Sequence, residues 1–169
     1  MSPTPRLTGL PPIVGSDPKV LILGSFPSEI SLTKKEYYAN PRNRFWHLME
    51  ALLGIKAALP YHVRTVQLKE KHIALWDVTK ECEREGSDDA AIKNEAMNYI
   101  PRFLCDHQSI SVIILNGGRA GSIFHKEYPD GFPGILIFTL PSTSPANAKF
   151  GLPQLGDAWS VLKETSGRK

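Results

Sequence analysis

Cysteine is scarce in this chain, and the two present, Cys82 and Cys105, stand alone. Neither belongs to a Cys-x-x-Cys pair, which argues against a zinc ribbon, a redox dithiol or a disulfide framework. His47, His62, His72, His107 and His125 are scattered without a His-Glu-x-x-His arrangement, so no metal is expected. Glycine-rich phosphate loops are missing. Gly24 has no second glycine at dinucleotide-fingerprint spacing, and no Gly-Lys-Ser or Gly-Lys-Thr occurs. No apolar run approaches the roughly 20 residues that cross a bilayer. Residues 1–18 lack the apolar stretch of a secretory leader. The expected setting is reduced and intracellular: the cytoplasm, with nucleoid association if the source is bacterial or archaeal. Charge of one sign is also in short supply, with 20 Lys and Arg against 17 Asp and Glu and a net charge of +3. Such a balance allows contact with a polyanion without enforcing it.

What is present suffices for one domain. The 169 residues, 41% of them hydrophobic, can bury a real core. A single domain over residues 1–169 is expected, with the proline-bearing residues 1–17 as an extended surface arm. Short apolar runs at 19–23, 73–78, 111–115 and 135–140 read as strands buried on both faces. Helical spacing marks residues 44–53, where Phe45, Leu48, Met49, Leu52 and Leu53 recur on one face, with Asn43 as N-cap and Gly54 as terminator. Residues 28–36 hold about one helical turn. Further helices are expected at 61–71, 90–104, 119–126 and 155–165, the second of them broken or kinked by Pro101. Residues 80–89 read as a charged loop. Strands alternating with helices predict an α/β three-layer sandwich with a central four-stranded parallel sheet.

Ligands in such folds sit beyond the carboxyl ends of the strands. Here those ends carry Gly24–Ser25–Phe26–Pro27–Ser28, then Asp77, then Asn116–Gly117–Gly118, then the run PSTSPANA from Pro141. Amides, hydroxyls and small residues dominate; paired carboxylates and histidines do not. That composition argues against acid–base chemistry run by histidine or a glutamate pair. Asp77, as a lone carboxylate, reads as a cap, and residues 86–88 border the same edge without an assigned role. Residues 24–46 are unusually dense in chemistry. Tyr37, Tyr38, Asn40, Asn43, Phe45 and Trp46 sit with Arg42 and Arg44, combining flat stacking faces, carboxamides and guanidinium groups. A pocket that stacks a nucleobase beside a phosphate backbone needs these parts.

Three segments in order, GSFPS at 24–28, YANPRNRFW at 38–46 and LPSTSPANA at 140–148, resemble the uracil-DNA glycosylase superfamily. Within it the chain is most similar to the hypoxanthine-DNA (deoxyinosine) glycosylase branch. The resemblance runs roughly from residue 19 to 162. It implies DNA carrying a deaminated base as the partner and removal of that base without metal or cofactor; a monomer is the simple default for a protein that scans DNA. Mismatch-specific uracil glycosylases of the superfamily carry Gly-x-Asn-Pro-Gly at the first segment, whose Asn holds the attacking water. Phe26 stands at that place here and has no hydrogen-bonding group. The resemblance therefore points to a replacement amide, Asn40 first and Asn43 second, although Asn43 reads equally well as the helix cap.

By the same resemblance, Tyr38 stacks on the extruded base, Asn116 reads it, and backbone groups of Gly24, Ser25 and Phe26 face it. Asn116 reads equally well as a turn residue before two glycines. Ser142, Thr143, Ser144, Asn147 and Lys149 would enter the minor groove and grip phosphates, with Arg42, Arg44 and Arg119 adding charge. The chemistry suits amides. A carboxamide can place a water near the anomeric carbon, and hydrogen-bond donors can stabilise charge developing on the departing base. Two alternatives share the fold: a uracil or thymine mismatch glycosylase, which Phe26 disfavours, and a catalytically silent binder of damaged DNA. A hydrolase of free nucleosides or nucleotides is a third. No lysine occupies a strand end where it would form a Schiff base.

Overall fold

The computed structural model describes residues 3–166. In chain order the elements are β1 (Arg6–Thr8), β2 (Val20–Gly24), α1 (Glu29–Lys34), α2 (Phe45–Leu53), α3 (Tyr61–Glu70), β3 (Ile73–Asp77) and β4 (Thr79–Glu83). They continue with β5 (Lys93–Met97), α4 (Ile100–Asp106), β6 (Val112–Asn116), α5 (Gly118–Glu127), β7 (Leu136–Leu140), α6 (Leu152–Ala158) and α7 (Val161–Ser166). The main sheet has four parallel strands in the order β3-β2-β6-β7. This is the expected α/β sandwich.

Side-chain alternation explains the three layers. Val20 and Ile22 point to one face and Leu21 and Leu23 to the other, as period-two geometry requires. The first pair packs with Phe45, Trp46, Leu48 and Met49 of α2, Leu68 of α3, Leu155 and Leu162. The second pair packs with Ile100, Phe103 and Leu104 of α4 and Ala120, Ile123 and Phe124 of α5. All four β2 side chains are fully buried, each worth roughly 2 kcal/mol relative to exposure. The central strands β2 and β6 are buried throughout, whereas the edge strand β7 leaves Leu136 56% exposed.

Four expectations are corrected. The N-terminal arm is extended, but it is built into the fold. Its β1 pairs antiparallel with β4, and Ile13 bridges Leu75, covering the free edge of β3. Residues 1 and 2 of that arm, and 167–169 at the other end, lie outside the described residues. Residues 80–89 are not all loop: β4 joins β1 and β5 in a second, antiparallel sheet of order β1-β4-β5. The helix expected at 90–104 is a short 3₁₀ turn (Asp89–Ala91), then β5, then α4. Ile92 is buried with Phe26 and Cys82, and this packing together with pairing to β4 overrides the helical spacing. Pro101 opens α4 in its first turn, where its missing N–H has no helical partner to lose. Finally, the helix expected at 155–165 is two helices. Trp159 caps α6, is fully buried, and donates its indole N–H to the Pro141 carbonyl at 2.9 Å.

Candidate active site

At the carboxyl edge of the main sheet lies a cleft of about 400 Å³, within the size range of small-molecule sites. It gathers residues far apart in sequence: the turn after β2, the segment 37–43, the end of β3, residues 87–89, Asn116 and the loop 142–146. The segment 24–28 turns cleanly because Ser28 caps α1, its side chain accepting from the Ser31 N–H at 3.2 Å. Lys35 then ends α1 in the left-handed region, φ 57°, sending the chain back towards the sheet.

The segment 37–46 is pinned from beneath. Tyr37 is 4% exposed and is core, as is Trp46 at 5%. The Tyr37 hydroxyl donates to the carbonyls of Leu10 and Pro11, its N–H donates to the Tyr61 hydroxyl, and its carbonyl accepts from the Trp46 indole. Tyr38 takes φ 56°, uncommon for a tyrosine, which turns its ring into the cleft and onto Phe45. The rings stack at 4.0 Å and 19°. Burial first, and the Asp77 carboxylate second, raise the Tyr38 phenol above its ordinary value, opposed by a hydrogen bond from Asn116.

Both candidate amides line the cleft, and both have their carbonyl oxygen engaged locally. Asn40 Oδ1 accepts from the Arg42 N–H at 3.0 Å, and Asn43 Oδ1 accepts from the Phe45 N–H at 2.9 Å. Asn43 is thus one residue ahead of the helix cap, which is Arg44, but still satisfies one orphan N–H of α2. In each case the backbone donor fixes which end of the amide is oxygen, so the Nδ2 group is the end left to donate.

Asn116 is 8% exposed and heavily committed. Its Nδ2 donates to the Tyr38 hydroxyl and to Thr143 Oγ1, both at 3.1 Å, and its Oδ1 accepts from the Thr143 N–H at 3.0 Å. It therefore ties the end of β6 to the segment 140–148 and orients Tyr38. Thr143 is fully buried in this arrangement and does not face phosphate. Arg44 is corrected likewise. Its guanidinium donates to the carbonyls of Ser144 (2.8 Å), Asn147 (2.9 Å), Thr143 (3.4 Å) and Phe150, stapling the loop 143–150 to the start of α2. Asn147 donates to the Ser142 carbonyl at 3.0 Å and shapes the same loop. Ser142 and Ser144 each cap a backbone N–H two residues on, leaving their O–H groups as donors. Arg42 and Lys149 are exposed. Arg119 is paired with Glu95 at 3.0 Å. The Phe26 ring packs with Cys82 and Ile92 beneath the Arg84 guanidinium, 5.1 Å away.

Two cleft or near-cleft residues, Asp89 and Arg84, escape the sequence reading, and a third, Asp77, is more than the cap that reading makes of it. Asp77 is 5% exposed, and its Oδ2 is buried without a hydrogen-bond partner. Its Oδ1 lies over Gly24, so close that a Cβ there would approach to 2.6 Å. Burial first, then the Asp89 carboxylate, push the Asp77 carboxyl up to about 7, with Arg84 pulling the other way. Asp89 accepts from Ser25 Oγ at 2.8 Å, and burial raises its carboxyl too. Arg84 is 3% exposed and donates to the Pro27 carbonyl at 2.6 Å, while its Nε and Nη1 have no partner. The second sheet delivers Arg84 and Asp89, so only recognition of β4 and β5 could have drawn attention to them. Asp77 had a signal, a carboxylate ending an otherwise apolar strand. Among the described residues, no group of three His, Cys, Asp or Glu side chains is arranged to hold a metal. Among the same residues, no helix is long and apolar enough to cross a membrane.

Comparison with known proteins adds four findings. Residues 11–163 match the model of the uracil DNA glycosylase superfamily. The chain is 37% identical over 145 residues to a hypoxanthine DNA glycosylase of Methanosarcina acetivorans, covering 84% of this chain and 89% of that one. It is 35% identical over 114 residues to a hypoxanthine DNA glycosylase of Methanosarcina barkeri, covering 67% and 72%. The fold is similar to the solution NMR structure of a candidate uracil DNA glycosylase from Methanosarcina acetivorans. That similarity has a TM-score of 0.81 at 32% identity, over 95% of this chain and 98% of that one.

Proposed function

The chain belongs to the uracil DNA glycosylase superfamily, and from that premise we propose that it hydrolyses the N-glycosidic bond of deoxyinosine in DNA. The observation that carries this reading is the cleft. It brings one face of Tyr38 and the carboxamides of Asn40 and Asn43 together against the strand ends, beside Phe26, whose side chain has no group to hold a water. The names of the two Methanosarcina relatives agree with hypoxanthine as the base.

The duplex surrenders its damaged nucleotide to the cleft. Phe45 covers one face of Tyr38, and the other face stacks on the base, worth roughly 1–3 kcal/mol. The Asn40 Nδ2 holds the attacking water near the anomeric carbon, while the bond from Arg42 keeps the amide still. Asn43 is the second candidate for that task. Backbone groups of Gly24, Ser25 and Phe26 face the base. Ser142 and Ser144 donate to phosphates, and Arg42 and Lys149 add charge. Asn116, Thr143, Asn147 and Arg44 hold the loop that presents them. The protein acts as an intracellular monomer of one domain.

The test is a cleavage assay on oligonucleotides carrying deoxyinosine, deoxyuridine, deoxyxanthosine or a G·T mismatch, developed with alkali. Cleavage chiefly at deoxyinosine is expected, lost in Asn40→Ala with binding retained. Binding without cleavage at any of these bases overturns the reading.

A further inference from the structure

We propose that Asp77 is a catalytic residue, a general acid that donates its proton to a ring nitrogen of the departing purine. This rests on the glycosylase reading above, and adds to it the proton that amides and hydroxyls do not supply. Water placement at the anomeric carbon leaves the purine to depart as an anion. A positioned acid removes that difficulty and contributes typically 10²–10⁴-fold.

The geometry favours the neutral acid at this point. Asp77 ends β3 at the cleft, 5% exposed, with Oδ2 walled in and given no donor. A buried carboxylate without hydrogen bonds is costly, and a proton relieves that cost. The titratable and charged groups around it come from three places. Asp89, on the 3₁₀ turn, repels the charged form; Arg84, just after β4, attracts it; Tyr37 and Tyr38 remain neutral phenols. Arg84 makes no ion pair with Asp77, its Nη2 being held by Pro27. Gly24 is what lets the carboxyl reach the cleft floor, since any side chain there would collide with Oδ1 and crowd the Tyr38 hydroxyl. The balance of burial and charge places the carboxyl near neutrality, where an acid is both loaded and able to give its proton up.

The step balances. The bond from the anomeric carbon to the purine breaks and its electron pair stays on the base. The Asp77 O–H breaks, and its proton bonds to a ring nitrogen, so the base leaves neutral. The water oxygen bonds to the anomeric carbon and loses a proton to solvent. Asp77 regains a proton from solvent once the base has gone. Asp89 is a positioning residue that sets where Asp77 titrates.

The experiment is single-turnover cleavage of a deoxyinosine oligonucleotide as a function of pH. For the unaltered protein, the rate is expected to fall tenfold per pH unit above about 7. Asp77→Asn should be slower by roughly 10²–10⁴-fold with that alkaline limb gone, while still binding an oligonucleotide bearing uncleavable 2′-fluoro-deoxyinosine. Asp89→Asn keeps an acceptor for Ser25 and should move the limb to lower pH. The inference is overturned if Asp77→Asn stays within about threefold of the unaltered rate, or retains the limb. Should Asp77→Asn fail to bind, the Asp89→Asn limb decides: an unmoved limb overturns the inference. A protein inert on deoxyinosine before any substitution overturns the glycosylase reading instead.

Discussion

Asn116 offers the sharpest test of how the site is built. Truncating it to alanine removes three hydrogen bonds, two donated to hydroxyls and one accepted from the Thr143 N–H. Thr143 is fully buried, so its N–H has no water to replace the lost acceptor. Each bond contributes about 1 kcal/mol net, and a buried N–H left unsatisfied costs about 1–3 kcal/mol. Because the two hydroxyls can rotate to other partners, the expected loss is about 2–4 kcal/mol. Urea unfolding should show the midpoint shift with the slope unchanged. Asn116→Asp separates positioning from base reading. Its carboxylate still accepts from Thr143 N–H, and the Tyr38 and Thr143 hydroxyls can reverse to donate to it. That variant should keep most of its stability while placing charge beside Tyr38. An Asn116→Ala protein within about 0.5 kcal/mol of the parent would refute the claim that Asn116 ties the segment 140–148 to the sheet.

Other outcomes follow from the same geometry. Arg44→Met should open the loop 143–150 to proteolysis and cut turnover while leaving the salt slope of DNA binding unchanged; a slope reduced by about 1 would restore it as a phosphate contact. Lys149→Ala and Arg42→Ala should each lower that slope by about 1, read by fluorescence anisotropy across salt. Phe45→Ala should cost about 3–5 kcal/mol, since it empties a fully buried site and removes the platform behind Tyr38. Asp77 also carries a stability signature. Its folded-state carboxyl is raised from about 4 to about 7, so between those values the folded state binds more protons than the unfolded one. The contribution is present below the unfolded value and is lost as pH rises towards 7, on the order of a few kcal/mol. Unfolding free energies measured across that window should decline in the parent relative to Asp77→Asn; parallel curves would show that Asp77 does not titrate there.

The central sheet was legible because its strands are short, apolar and bounded by small residues. Burial on both faces writes itself into sequence as continuous runs such as VLIL and VIIL. Helix α2 was legible for a similar local reason, a repeating apolar face closed by Gly54 at φ 75°. The second sheet was not. The β4 sequence TKECE and β5 sequence KNEAM carry little alternation, and their pairing contains register shifts. What makes them strands is each other and the arm that joins them, a property of contacts between distant segments.

The same division runs through the site. Which residue types stand at the strand ends is plain from the order of residues alone, and three ordered segments suffice to place the chain in its family. It could not say which way each side chain turns. Arg44 and Thr143 look like phosphate contacts on paper, yet fold inward to hold a loop, because carbonyls 99–106 residues away lie within reach of one guanidinium. Asp77 looks like a cap, yet sits buried beside another carboxylate. Local preference is encoded in neighbouring residues, whereas the charge state of Asp77 depends on dielectric and on groups brought near by folding. Only the tertiary structure supplies those.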